Sequence, residues 1–65
     1  MYTIEEIHNS LINGQRKQMV DQIDAYGLYD FWEDYWNYLT DFGSENSAIE
    51  HFKDVTISYH RIKNR

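Results

Sequence analysis

The chain has 65 residues, no cysteine, no proline and a formal net charge of −5. This composition excludes a disulfide framework and a thiolate metal site, and the charge argues against general attraction to nucleic acid or to an anionic membrane. No apolar run approaches the roughly 18 residues of a membrane span, and the acidic start is unlike a signal peptide. We therefore expect a single cytoplasmic domain over residues 1–65.

The first predicted helix covers residues 3–13. Thr3 and Glu6 are spaced as a capping box, and apolar residues then recur at helical intervals, namely Ile4, Ile7 and Leu11. Asn13-Gly14 is a natural stop, because glycine adopts the left-handed conformation that ends many helices. The same pair could form a type I′ β-hairpin turn, but its flanks have helical periodicity rather than alternation.

The second predicted helix covers residues 15–26, and the third covers residues 28–42. Gly27 separates them, and Gly43 follows the third helix, so that every glycine in the chain stands at a predicted junction. The apolar face of the second helix consists of Met19, Val20, Ile23 and Tyr26. Together with the first helix it predicts an αα-hairpin.

The third helix is predicted to organise the fold. At about 100° per residue, its polar side chains fall on an arc of roughly 120° and its apolar side chains on an arc of about 180°. That apolar arc is wider than the stripe of about 100° that a surface helix needs, so we expect neighbours on two sides. The apolar set is Leu28, Tyr29, Phe31, Trp32, Tyr35, Trp36, Tyr38, Leu39 and Phe42.

The fourth predicted helix covers residues 47–62 and begins at a second capping box, Ser47 to Glu50. Its apolar residues step by three and four, as a packing seam requires: Ala48, Phe52, Val55, Tyr59 and Ile62. The alternating, β-branched segment Val55–Tyr59 leaves a strand as the alternative, with residues 1–4 as the one candidate partner strand, but we predict a helix through about Ile62. The predicted fold is all-α, a small bundle of four short helices around a central aromatic-rich helix.

Nothing in the sequence predicts catalysis, a cofactor or a metal. The three histidines lack metal-ligand spacing, and we expect His8 to be partly buried and hydrogen-bonded. Asp30 and Asp34, one turn apart, could share acid–base work if one pKa were raised. No nucleophile, oxyanion hole or phosphate loop accompanies them, so the prediction is a non-enzymatic protein.

The acidic strip, as we call the carboxylates of the third helix, is the main candidate site; it consists of Asp30, Glu33, Asp34 and Asp41. It is either a solvated face or a surface that docks on a basic partner. Tyr29, Trp36 and Tyr38 lie at the edges of the apolar arc. They either pack at the boundary of the core or form an exposed aromatic patch, since Tyr and Trp are favoured at interfaces.

Two alternative functions remain open. Residues 15–18, Gln-Arg-Lys-Gln, suit contacts with bases and phosphates, so the first two helices could be a helix-turn-helix that binds DNA through Arg16 and Lys17. The acidic surroundings oppose that hypothesis, and a solvated first turn explains the same residues. The second alternative is a homodimer that buries the exposed aromatics in a two-fold interface.

The segment from Asn13 to Leu39, NGQRKQMVDQIDAYGLYDFWEDYWNYL, resembles small acidic, aromatic-rich proteins encoded by tailed bacteriophages. The resemblance implies an accessory product in the host cytoplasm, and some such proteins inhibit a host protein, including defence nucleases. It brings no catalytic residues. We therefore expect a protein that binds a basic partner protein, or a second copy of itself, through the acidic strip and its flanking aromatics; no membrane partner is expected, and nucleic acid is the less favoured alternative.

Overall fold

Four α-helices make up the fold, and no strand occurs between residues 2 and 64. The computed structural model describes residues 2–64; Met1 and Arg65, which belong to the predicted domain, lie outside the described residues. The helices are α1 (Ile4–Ile12), α2 (Arg16–Tyr26), α3 (Leu28–Phe42) and α4 (Glu45–Lys63). The prediction of an all-α bundle is confirmed.

The first three helices begin and end where local sequence signals place them. Thr3 is the N-cap of α1, and its hydroxyl oxygen accepts a hydrogen bond of 3.2 Å from the backbone N–H of Glu6. Gly14 has φ +76° and Gly27 has φ +111°, in the region that favours glycine. Gly27 ends α2 and also precedes the first residue of α3, so a single residue joins the two helices.

The predicted start of α4 is wrong. Ser44, rather than Ser47, is the N-cap, and its hydroxyl oxygen accepts a hydrogen bond of 3.2 Å from the backbone N–H of Ser47. Ser47 fits the capping box because Glu50 follows three residues later, whereas Ser44 has only the residue type of an N-cap. The predicted box from Ser47 to Glu50 therefore lies inside the helix.

The strand alternative for Val55–Tyr59 is also wrong, because α4 continues without interruption to Lys63. Helical spacing puts Val55 and Tyr59 on the same buried face. The β-branched Thr56 is accommodated because its hydroxyl donates a 2.8 Å hydrogen bond to the carbonyl of Phe52, one turn earlier. In the proposed partner segment, residues 2–4 form no strand, and Met1 lies outside the described residues.

The core lies where α3 meets the other three helices, which confirms that α3 has neighbours on more than one side. Phe31, Tyr35 and Leu39 follow one another at intervals of four and are buried. Phe31 and Tyr35 are stacked, with 5.0 Å between ring centroids. The other helices bury Ile7, Leu11, Met19, Val20, Ile23, Ala48, Val55 and Tyr59 against them.

Two apolar-arc residues of α3 do not join this core. Phe42, at the last turn, is 79% exposed, and Tyr29, at the first turn, is 89% exposed. Residues at helix ends have fewer neighbours than those at the centre, and position on the arc alone does not reveal this difference. None of the helices between residues 2 and 64 combines the length and apolar character that crossing a membrane requires.

Candidate functional site

The acidic strip faces outward along α3. All four of its carboxylate residues are exposed, and at about 100° per residue they occupy an arc of roughly 100° opposite Phe31 and Tyr35. The two ion pairs found between residues 2 and 64 involve Asp54 and Asp24, neither of which belongs to the strip. Negative charge on this face is thus left without a cationic partner from the described part of the chain.

Asp34 differs from the other carboxylates of the strip because it has a contact within the chain. The hydroxyl of Tyr26, at the end of α2, donates a short hydrogen bond to Asp34 Oδ2. Chiefly through this bond, and then through burial and nearby carboxylate charge, the pKa of Tyr26 rises to about 12. Asp34 therefore helps to tie α2 to α3, whereas Asp30, Glu33 and Asp41 form no side-chain hydrogen bond with residues 2–64.

Aromatic rings border the strip on both sides. On one side stand Tyr29, which is exposed, and, two turns later, the half-buried Trp36, whose ring meets that of Phe52 edge-on at 5.5 Å. On the other side, the half-buried ring of Tyr38 lies 5.1 Å from that of Phe42. The structure thus brings together all the residues predicted for partner binding on one helix face and its two borders.

Phe42 is a member of this surface that the sequence prediction did not include. The prediction counted it only as a member of the apolar arc, which it shares with Phe31 and Tyr35. Its position directly before Gly43 and the polar segment that leads to α4 was the available signal, because a helix-terminal ring next to such a segment has little protein to pack against.

Two of the three histidines, His8 of α1 and His51 of α4, lie close together next to Tyr38. His8 Nδ1 lies 2.8 Å from the Tyr35 hydroxyl, and the His8 and His51 rings are 5.3 Å apart. Burial, and secondarily the proximity of His51, lower the pKa of His8 below 6.5. The predicted partly buried, hydrogen-bonded His8 is confirmed. Within residues 2–64, no three potential metal-ligating side chains converge.

The two residues proposed to contact DNA have different environments. Arg16 donates hydrogen bonds to Asp54 Oδ1 at 2.8 Å and to the Ser58 hydroxyl at 2.6 Å, so it ties α2 to α4. Lys17 is exposed and forms no ion pair with the described residues. These contacts within the chain explain the position of the Arg16 guanidinium without a phosphate ligand.

Comparison of the chain with protein-family models, with curated proteins and with solved structures gave no match. The resemblance to small phage proteins therefore stays a prediction. The exposed face of α3, with its four carboxylates and bordering rings, is the feature from which a function can be inferred.

Proposed function

We propose that this chain is a non-enzymatic protein-binding accessory protein that docks the exposed face of α3 on a basic surface of its partner. The observation that supports this most is the acidic strip, whose carboxylates have no cationic neighbour among residues 2–64. Next to the strip, Tyr29 holds a ring that is 89% exposed. Tyrosine is a residue type enriched among interface anchors, and charge beside it can steer and orient a complementary partner.

The carboxylates and the rings would have different roles in binding. Charges at an interface mainly raise the association rate and fix the orientation, so the strip would steer the chain toward a cationic surface. Tyr29 would supply an anchor that loses water on binding, and Trp36 and Tyr38 would extend it at the borders. Because all three rings stand on one helix, the backbone that carries them is already ordered before docking, and the remaining entropic cost is that of fixing the side chains.

The hydroxyl groups near the strip are not arranged as activated nucleophiles, which favours a binding role over catalysis. The hydroxyl of Tyr26 donates to Asp34 of the strip, and this bond is the main cause that raises the pKa of Tyr26 to about 12, so the phenol loses its proton less readily than a free one. The hydroxyl of Thr40 donates a 3.0 Å hydrogen bond to the backbone carbonyl of Trp36, whereas an activated nucleophile needs an adjacent base. We infer that the face binds without altering a covalent bond.

The proposal extends to inhibition where the partner is a host or defence protein that binds nucleic acid. Proteins of that class recognise phosphates with clustered Lys and Arg. Four carboxylates that span about 17 Å of helix, at 1.5 Å per residue, would compete with phosphates for such a cluster. The phage resemblance motivates this extension, and the exposed position of the strip supports it.

Affinity capture with matched variants tests the proposal. The chain is immobilised, proteins from cells that carry its gene are passed over it, and captured proteins are identified and then tested by calorimetry. We expect a basic protein that is retained by the wild type and lost with E33Q/D41N or Y29A. The control D21N/E50Q removes two exposed carboxylates from α2 and α4 and should retain it. Equal capture by the wild type, by E33Q/D41N and by Y29A would refute the assignment.

A further inference from the structure

A basic groove lies between the first turn of α2 and the second half of α4. It has a volume of about 500 Å³, and its cations are Arg16, Lys17 and Arg61. Of the five cationic Lys and Arg residues between positions 2 and 64, three thus line one groove of an otherwise acidic chain. The volume is within the range of about 300–1,000 Å³ typical of binding sites.

The groove is held in shape from within the chain. Arg16 is fixed by Asp54 and Ser58, so its guanidinium forms part of the wall. Lys17 and Arg61 form no ion pair with residues 2–64, and both are exposed. Their charges remain available to an anionic partner.

The groove also has an apolar side. Ile57 is 50% exposed, although it stands at the middle of α4, and Ile62 lines the same cavity. An occupant that satisfies both sides must offer carboxylates or other anions together with an apolar group. A free inorganic anion would leave Ile57 and Ile62 in water.

We propose that this groove receives the acidic strip of a second copy of the chain, so that copies associate head to tail. The inference rests on the proposed function, because it uses the strip as the docking surface and identifies a partner for it. The strip has the required chemistry, since its carboxylates would face Lys17 and Arg61 while the ring of Tyr29 covers Ile57. Strip and groove share no residue, so each copy presents both surfaces.

The net charge sets the conditions for this association. Each copy carries −5, so whole chains repel one another at long range at low ionic strength. At about 0.15 M salt the screening length is about 8 Å, so salt weakens that long-range repulsion more than it weakens the attraction between opposite charges in direct contact. We expect association to be strongest near this ionic strength and to decline at about 1 M salt.

Charge reversal on each surface, followed by mixing, tests the proposal. K17E/R61E reverses the groove and leaves the Arg16–Asp54 pair intact, whereas E33K/D41K reverses the strip and leaves the Tyr26–Asp34 bond intact. Sedimentation at millimolar concentration should show the wild type above its monomer mass of 7.9 kDa, each variant alone at that mass, and their equimolar mixture above it again. K53E, a reversal on α4 outside the groove, should behave as the wild type, and circular dichroism verifies folding of every variant.

Three results would overturn the head-to-tail contact. The first is a wild type that stays monomeric at every ionic strength, and the second is a mixture of the two variants that stays monomeric. The third is a dimer that E33K/D41K disrupts and K17E/R61E does not, because that pattern belongs to a two-fold contact between strip faces. A monomeric wild type that still captures a basic protein through Tyr29 and the strip would overturn self-association alone and leave the proposed function standing.

Discussion

The hydrogen bond between Ser10 and Gln22 joins α1 to α2 inside the bundle, and its removal should destabilise the fold. The two side chains are 4% and 5% exposed, and the Ser10 hydroxyl donates to Gln22 Oε1 at 2.7 Å. Replacing Ser10 by Ala would leave the amide oxygen without this donor where water has little access. We expect S10A to lower the free energy of unfolding by about 1–3 kcal/mol.

That loss is large for so short a chain. At roughly 0.05–0.15 kcal/mol per residue, 65 residues correspond to a total stability of about 3–10 kcal/mol. A loss of 1 kcal/mol lowers the melting temperature of a domain of this size by about 4–8 °C. S10A should therefore melt well below the wild type and unfold at a clearly lower urea concentration.

A double-mutant cycle separates the hydrogen bond from its surroundings. Q22M removes the other partner with a side chain of similar length, and S10A/Q22M should lose less stability than the sum of the two single variants, because neither polar group remains unpaired. The assay is urea unfolding followed by circular dichroism and by the fluorescence of the two tryptophans. Q18M, at an exposed position of the same helix, is the control and should change stability by less than about 0.5 kcal/mol. A cost for S10A below that value, or strict additivity in the double variant, would refute this explanation.

Two further predictions concern a helix cap and a histidine. S44A should lower the free energy of unfolding by about 0.5–2 kcal/mol because it removes the N-cap of α4, whereas S47A should not; equal losses in urea unfolding would contradict the assigned helix start. Because the pKa of His8 is lowered below 6.5, the unfolded chain binds a proton more readily than the folded one. Stability should therefore be highest above pH 6.5 and fall as the pH drops below it. H8Q should flatten this decline and H60Q should preserve it; a flat wild-type profile between about pH 7.5 and 5.5 would contradict the burial of His8.

The elements that local signals define were predictable from the sequence. The Thr3 cap and the stops at Gly14 and Gly27 depend on chemistry within four residues of each junction, and the all-α class followed from helical periodicity. The start of α4 was missed because Ser47 has the capping-box partner Glu50 three residues later and Ser44 has none. The local pattern therefore favoured the later serine, although Ser44 is the residue that caps the helix.

Contacts between helices could not be predicted from the sequence because they depend on how the helices dock. The pair between Arg16 and Asp54 spans 38 positions in the chain, and no periodicity relates the two residues. The same holds for the basic groove, which exists only where α2 and α4 meet. The outward position of the acidic strip, in contrast, followed from the arc it occupies on α3.

Folding places few constraints on Glu33 and Asp41, which are exposed and form no side-chain hydrogen bond or ion pair with residues 2–64; Asp30, in contrast, stands in the first turn of α3, where a negative charge stabilises the helix. Exposed substitutions of this kind usually change stability by less than about 0.5 kcal/mol. Glu33 and Asp41 can therefore be replaced without compensating changes in the interior. If a binding partner changed its surface, substitutions on this one helix face could restore the fit. Within the acidic strip, Asp34 would be the last residue to vary, because it also accepts a hydrogen bond from Tyr26.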